Sequence, residues 1–175
     1  MIVRCIYNDV KYVPEKQREY AITQDADDGL DITVGKHYIV YATKQTPQGL
    51  WYFVHTDRRN PDTLWWMPAA LYEVVQKRLP DGWKERTEED ETLIAYPSLH
   101  NWEVENDILD GEKAALQAYM TETAADPTSP SLDDLNKYNT EFNKQQREQK
   151  YEHNKELARE RGYEWPKNPE DKAIN

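Results

Sequence analysis

The chain has one cysteine, six glycines and two phenylalanines in 175 residues. A single thiol, Cys5, excludes an intramolecular disulfide framework. Six glycines without a period exclude collagen-like and silk-like folds. No apolar run reaches bilayer-spanning length, and 31% of the residues are charged. Residues 1–10 lack the apolar stretch and cleavage site of a secretory leader, so the expectation is a cytoplasmic protein. Enzyme signatures are missing as well: there is no phosphate-binding loop, dinucleotide glycine pattern or Gly-x-Ser-x-Gly elbow. None of His37, His55, His100 and His153 pairs with another at metal-ligand spacing. His55 with Asp57, and His100 with Glu103, come nearest to half of a site, but ordinary surface or capping roles account for them. Cys5 sits in a strand-like segment and reads as a small core residue rather than a nucleophile. The expectation is therefore a non-enzyme without metal or cofactor.

Two features are present in excess. Twelve tyrosines and six tryptophans stand against two phenylalanines, which favours half-buried amphipathic rings over a dry core. The net charge is −11, and its distribution is uneven. Residues 1–80 hold ten basic and ten acidic side chains, and residues 135–175 hold nine and eight. Residues 81–134 hold three basic and fifteen acidic side chains, so one stretch carries the imbalance. Such a stretch repels nucleic acid, whose phosphates need Lys and Arg. It attracts a basic protein surface and speeds the encounter. Solubility alone is the plainer reading of the same acidity.

The pattern divides the chain into three segments. Residues 1–79 read as short strands: alternation over 1–7, a polar loop over 8–29, then strands near 30–41, 49–56, 64–67 and 71–75. Gly35 suits a sharp turn, residues 46–49 a hairpin, residues 57–62 a turn, and Pro68 interrupts a ladder. Residues 80–110 read as an acidic connection, with a turn at 80–83, a solvated run Glu88, Glu89, Asp90 and Glu91, and a short helix that Ser98 caps. Residues 111–175 read as a helical extension. One helix spans 112–124 with Asp110 as its cap, and a longer one of about 30 residues starts at a Ser131/Asp134 capping box. Leu132, Leu135, Tyr138 and Phe142 mark its apolar side, Gly162 fits its end, and the tail with Pro166 and Pro169 reads as frayed. Burial alone cannot hold a helix this polar, so it either projects or docks. The fold class is α+β.

The strand segment resembles an SH3-like antiparallel β-barrel. The resemblance rests on the stretch 30–41 with its Gly turn, on the Trp51 strand, and on the Pro68-to-Tyr72 run that leads into a last strand. Pro68 and Tyr72 are four apart where the SH3 pattern has three, and Asp25, Asp27 and Asp28 match the acidic peptide-selecting loop only loosely. Residues 1–85 also resemble a family of small, mostly uncharacterised bacterial proteins. The shared features are Val34-Gly35-Lys36-His37-Tyr38-Ile39-Val40-Tyr41, Trp51-Tyr52, Pro68 to Val75, and Trp83. That resemblance implies a protein of toxin–immunity neighbourhoods.

The expected function is thus an immunity protein that neutralises a cognate toxin, with an acidic surface set against the toxin's basic cleft. Glu88, Glu89, Asp90, Glu91, Glu103, Glu105 and Asp107 are the carboxylates expected to steer and select. Trp65 and Trp66 are the expected aromatic anchors. Adjacent strand residues face opposite ways, so they cannot both be core, and one should lie at the surface or under the helical segment. The alternative is an SH3-like adaptor with a peptide groove of Trp51, Trp65, Pro68 and Tyr72. The sequence leaves open the oligomeric state, the toxin, and which of the two tryptophans is buried.

Overall fold

The computed structural model describes residues 1–22, 30–57 and 64–162. Two compact units divide the chain at Tyr138 and Asn139. In the first, seven strands form one antiparallel sheet: β1 (Ile2–Cys5), β2 (His37–Thr46), β3 (Gly49–His55), β4 (Leu64–Pro68), β5 (Tyr72–Gln76), β6 (Lys84–Glu88) and β7 (Glu91–Ala95). The order is β4-β3-β2-β1-β5, and β7 pairs with β2 and carries β6. Among the described residues there are four helices: α1 (Glu15–Ile22), α2 (Trp102–Leu109), α3 (Lys113–Ala125) and α4 (Leu132–Glu160). The fold is α+β, as the pattern implied, with a long C-terminal helix.

The centre of the sheet is β2, because its ten residues carry three ladders. His37 to Ile39 pair with β1, Val40 to Thr46 pair with β3, and Thr43 to Gln45 also pair with β7. Between Val40 and Ala42 the register with β3 slips, so Tyr41 is bulged out of the ladder. Its carbonyl accepts a 2.7 Å hydrogen bond from the buried Tyr119 hydroxyl of α3. A bulge thus becomes the point where the helical segment is fastened to the sheet.

Segment 80–110 differs from the acidic connection expected of it. Its residues 84–95 form the β6–β7 hairpin, closed by the two-residue turn Glu89–Asp90, and the expected short helix follows as α2. The turn contains no glycine, which hid it. Glu89 takes φ +49, alone among the described non-glycine residues in having positive φ. Left-handed backbone costs a residue with a Cβ about 1–2 kcal/mol. Glu89→Gly is therefore expected to stabilise the fold by about 0.5–1 kcal/mol, read as a rise in urea midpoint at unchanged slope.

Other local expectations shift in the same region. Asn101, not Ser98, caps α2, its side chain accepting from the Glu103 N–H at 3.0 Å. Ser98 lies in a 3₁₀ turn (Pro97–His100), and its hydroxyl donates to Glu122 of α3. Asp110 closes α2 rather than opening α3, and Gly111 at φ +81 makes the corner. The polar stretch after β1, read as loop, holds α1, preceded by Pro14. Along β1 the alternation breaks down, because Ile2, Val3 and Cys5 are all buried where β1 meets a bulge on β5.

Asp126 ties α3 back to the 80–83 turn. Its carboxylate accepts from the Thr128 hydroxyl at 2.6 Å, from the Thr128 and Gly82 N–H groups at 2.8 Å each, and from the Tyr96 hydroxyl at 3.1 Å. These bonds, those to Thr128 foremost, hold its pKa down to about 2. A depressed carboxylate stabilises the fold above its unfolded pKa of about 3.9 and ceases to do so as the pH falls through the folded value. Asp126→Asn is expected to lower the melting temperature at pH 7, with the gap to the parent protein narrowing between pH 4 and pH 2. A pH-independent gap would show that the charge is not what counts. Gly82 is equally constrained, since a Cβ there would meet Tyr96 at 2.6 Å and Asp126 at 2.9 Å.

The capping box at the start of α4 forms. Ser131 Oγ donates to Asp134 at 2.7 Å and accepts from its N–H at 3.1 Å. Leu135 packs against the core, whereas Leu132 is exposed. From Asn139 onward the second unit continues the helix with a mostly polar surface. Side-chain pairs such as Lys155 with Glu152 at 3.3 Å support it locally. Residues 163–175, with Pro166 and Pro169, lie outside the described residues. So do most of the expected 57–62 turn and the acidic Asp25, Asp27 and Asp28.

Candidate partner-binding groove

One face of the β2–β3–β4 sheet carries the site. In the β3–β4 register, Trp51 pairs with Pro68, Phe53 with Trp66, and Val54 with Trp65. Alternation therefore puts Trp51, Phe53, Trp66 and Pro68 on one face and Trp65 on the other. Lys44, opposite Trp51 on β2, joins the first face, as does Leu93 of β7. Over this face lies α2.

Glu105 of α2 makes the junction. Its Oε1 accepts the Trp66 indole N–H at 2.8 Å and also binds the Lys44 ammonium. That ammonium lies 4.5 Å from the centroid of the Trp66 ring, whose ring stacks on Phe53 at 4.6 Å. Glu105 is thus committed to a structural trio that docks α2 on β2 and β4. Both Trp65 and Trp66 are half-buried, one on each face of the sheet. Trp66 is the one covered by a helix, and that helix is α2 of the 80–110 segment rather than the 111–175 extension.

Beside the trio opens a groove of about 700 Å³ between the β6–β7 hairpin and α2. Five of the seven expected carboxylates line it: Glu88, Glu89, Asp90, Glu91 and Glu105. The other two, Glu103 and Asp107, are exposed on α2 away from it. Trp102 at the start of α2 also lines it and is 66% exposed. Trp102 was not among the aromatic anchors expected from the sequence. Its place in the first turn, just after the Asn101 cap, was the available signal that it sits at an exposed end.

Charge accounting in the groove is uneven. Arg86 pairs with Glu88, and Lys44 with Glu105. Glu89, Asp90 and Glu91 have no ion pair among the described residues, so the hairpin tip presents three uncompensated carboxylates. Glu88 and Glu91 also face each other directly across the hairpin. A like-charge cross-strand pair destabilises a sheet by about 0.2–1 kcal/mol. The tip therefore carries both a charge penalty and a backbone penalty.

The alternative groove of Trp51, Trp65, Pro68 and Tyr72 does not assemble. Trp65 lies on the opposite sheet face from Trp51 and Pro68, and Tyr72 is buried against Tyr38 and Tyr52. The half-sites suggested around histidine are occupied by structural bonds. The Asp57 carboxylate accepts from Tyr38 at 2.5 Å and Thr33 at 2.6 Å and binds Lys36, and His100 lies 3.2 Å from the Lys84 carbonyl. Cys5 is buried, and that burial pushes its thiol up to about 12, which suits a packing residue. Among the described residues no group of three or more His, Cys, Asp or Glu could hold a metal ion. No described helix is long and apolar enough to cross a membrane.

No protein-family model matches the chain, and neither a curated protein nor a solved structure does.

Proposed function

We propose that this is an immunity protein, one that neutralises a toxin by seating the acidic groove against the toxin's basic cleft. The observation that carries the reading is the β6–β7 tip. Three uncompensated carboxylates are held in a strained turn beside an exposed tryptophan, where local stability favours neither the charges nor the backbone. A site that departs from local preferences at a cost to the fold is where a partner is expected. A cationic surface offsets the charge penalty, and Trp102 supplies an anchor that loses water on contact. The carboxylates steer the encounter and reject anionic competitors. The partner is a protein with a basic cleft, such as one that handles nucleic acid or a nucleotide, and the site of action is the cytoplasm.

The scaffold in this reading is an SH3-like barrel with an inserted acidic hairpin. The strand order β4-β3-β2-β1-β5 supports it, as does the one-turn 3₁₀ helix (Ala69–Leu71) between β4 and β5. The test is to express the protein with the product of the gene adjoining its own. A stable complex and loss of that product's toxicity are expected. Toxicity that persists in the presence of the folded protein refutes the immunity role.

A further inference from the structure

A second groove, of about 530 Å³, lies between β2, α3 and the start of α4, and it shares no lining residue with the groove at the hairpin. Its floor is apolar. Ile39 and the bulged Tyr41 of β2 are buried there, and Met120 of α3 packs half-buried against the same core. Leu132, in the first turn of α4, also lines the groove and is 64% exposed, whereas Leu135 on the same side of the helix packs against the core. The apolar side of α4 thus begins at the rim of an apolar groove. The charges that line it are of one sign: Asp126, Asp133 and Asp134, with no cation among the described residues. Asp126 is held by Thr128, Gly82 and Tyr96, and Asp134 by Ser131 and Lys137. The Asp133 carboxylate is exposed and has no hydrogen bond or ion pair among the described residues.

Carboxylates with no lysine or arginine among them repel anionic ligands, whether nucleic acid, a lipid phosphate or a fatty acid. A cation alone gains little from one exposed carboxylate in water. An apolar group alone leaves Asp133 unmatched. We propose that the groove docks a basic amphipathic segment of a protein partner, with an apolar side chain entering beside Met120 and Leu132 and a neighbouring lysine or arginine meeting Asp133. Methionine is unbranched and flexible, so Met120 adapts to the entering side chain. Residues 81–134, with three basic and fifteen acidic side chains, draw the same kind of partner at longer range. The inference uses none of the hairpin carboxylates and does not rest on the immunity reading.

The experiment titrates the full chain, isotope-labelled at its methionine methyl groups, and reads it by NMR. The probes are a blocked pentapeptide, Lys-Leu-Lys-Leu-Lys, and two counterparts, Lys-Ser-Lys-Ser-Lys and Gln-Leu-Gln-Leu-Gln. Met120 lines the groove, while Met1 and Met67 are buried in the core and serve as references. The first peptide is expected to move the Met120 signal. It should bind about tenfold more tightly than the serine counterpart and about fivefold more tightly than the glutamine one. Leu132→Ser should weaken the first preference, and Asp133→Asn should abolish the second. Both positions are exposed and leave the Ser131/Asp134 cap intact, so the variants fold. A serine counterpart that binds as tightly means that charge alone acts, and a glutamine counterpart that binds as tightly means a neutral partner; either result overturns the proposal. So do preferences that survive both substitutions unchanged. A Trp102 indole signal that moves while Met120 stays silent overturns this groove and leaves the one at the hairpin standing.

Discussion

Replacing Glu88, Glu89, Asp90 and Glu91 together by lysine is expected to slow association with the partner by about a hundredfold at low salt. The dependence on ionic strength should also invert. The parent complex weakens as salt is added, because screening removes an attraction, whereas the variant complex tightens, because screening removes a repulsion. All four side chains are exposed, and none carries a buried contact. The like-charge pair at 88 and 91 persists with its sign reversed and the exposed Arg86–Glu88 pair is lost, a change of about 1 kcal/mol at most, so the main loss is one of recognition. Stopped-flow association at several salt concentrations measures it. An unchanged rate and slope would place the recognition surface elsewhere. Replacing Glu103 and Asp107 is the internal control, with a much smaller expected effect, since neither lines the groove.

The largest effect on stability is expected at Tyr119. It is fully buried, and its hydroxyl donates to the Tyr41 carbonyl released by the β2 bulge. Tyr119→Phe keeps the ring but strands that carbonyl, at a cost of about 1–3 kcal/mol. Tyr119→Ala also opens a cavity beneath α3 and is expected to cost about 3–5 kcal/mol, the range for large aromatic truncations. In a chain of this size that corresponds to a melting temperature lower by roughly 10 °C. Urea denaturation of the two variants separates the hydroxyl from the ring. Equal losses would mean that the hydrogen bond carries the whole effect.

Much of the framework was legible because it is encoded locally. Short apolar and β-branched runs, Gly49 at the hairpin and Pro68 at the end of β4 mark β1, β3, β4 and β5 within a few residues, whereas β2 runs from His37 to Thr46 rather than over 30–41, because residues 31–36 are spent on the turn that contains Gly35. The Ser131/Asp134 box marks the start of α4 for the same reason, as its two partners lie within one helical turn. The hairpin β6–β7 was not legible. Its turn lacks glycine or asparagine, and its residues are so acidic that composition outweighed alternation. Helix α1 was hidden likewise, since only Gln17 and Ala21 are buried among its residues from Glu15 to Ala21, too few to show a helical period. The acidic residues were found by composition alone, and composition could not sort Glu105 from Glu103 and Asp107.

By itself the sequence determined that the chain is α+β, that it carries one strongly anionic stretch, and that its aromatic rings are mostly amphipathic. These follow from residue type and short-range spacing, which act within a few positions along the chain. Only the tertiary structure decided that the anionic stretch begins with two strands of the same sheet, that Glu105 is spent on Lys44 and Trp66, and that Trp102 stands at the edge of the groove. Those outcomes depend on partners such as Lys44 and Glu105, sixty-one positions apart. Register and packing bring such residues together, and no local pattern records the meeting.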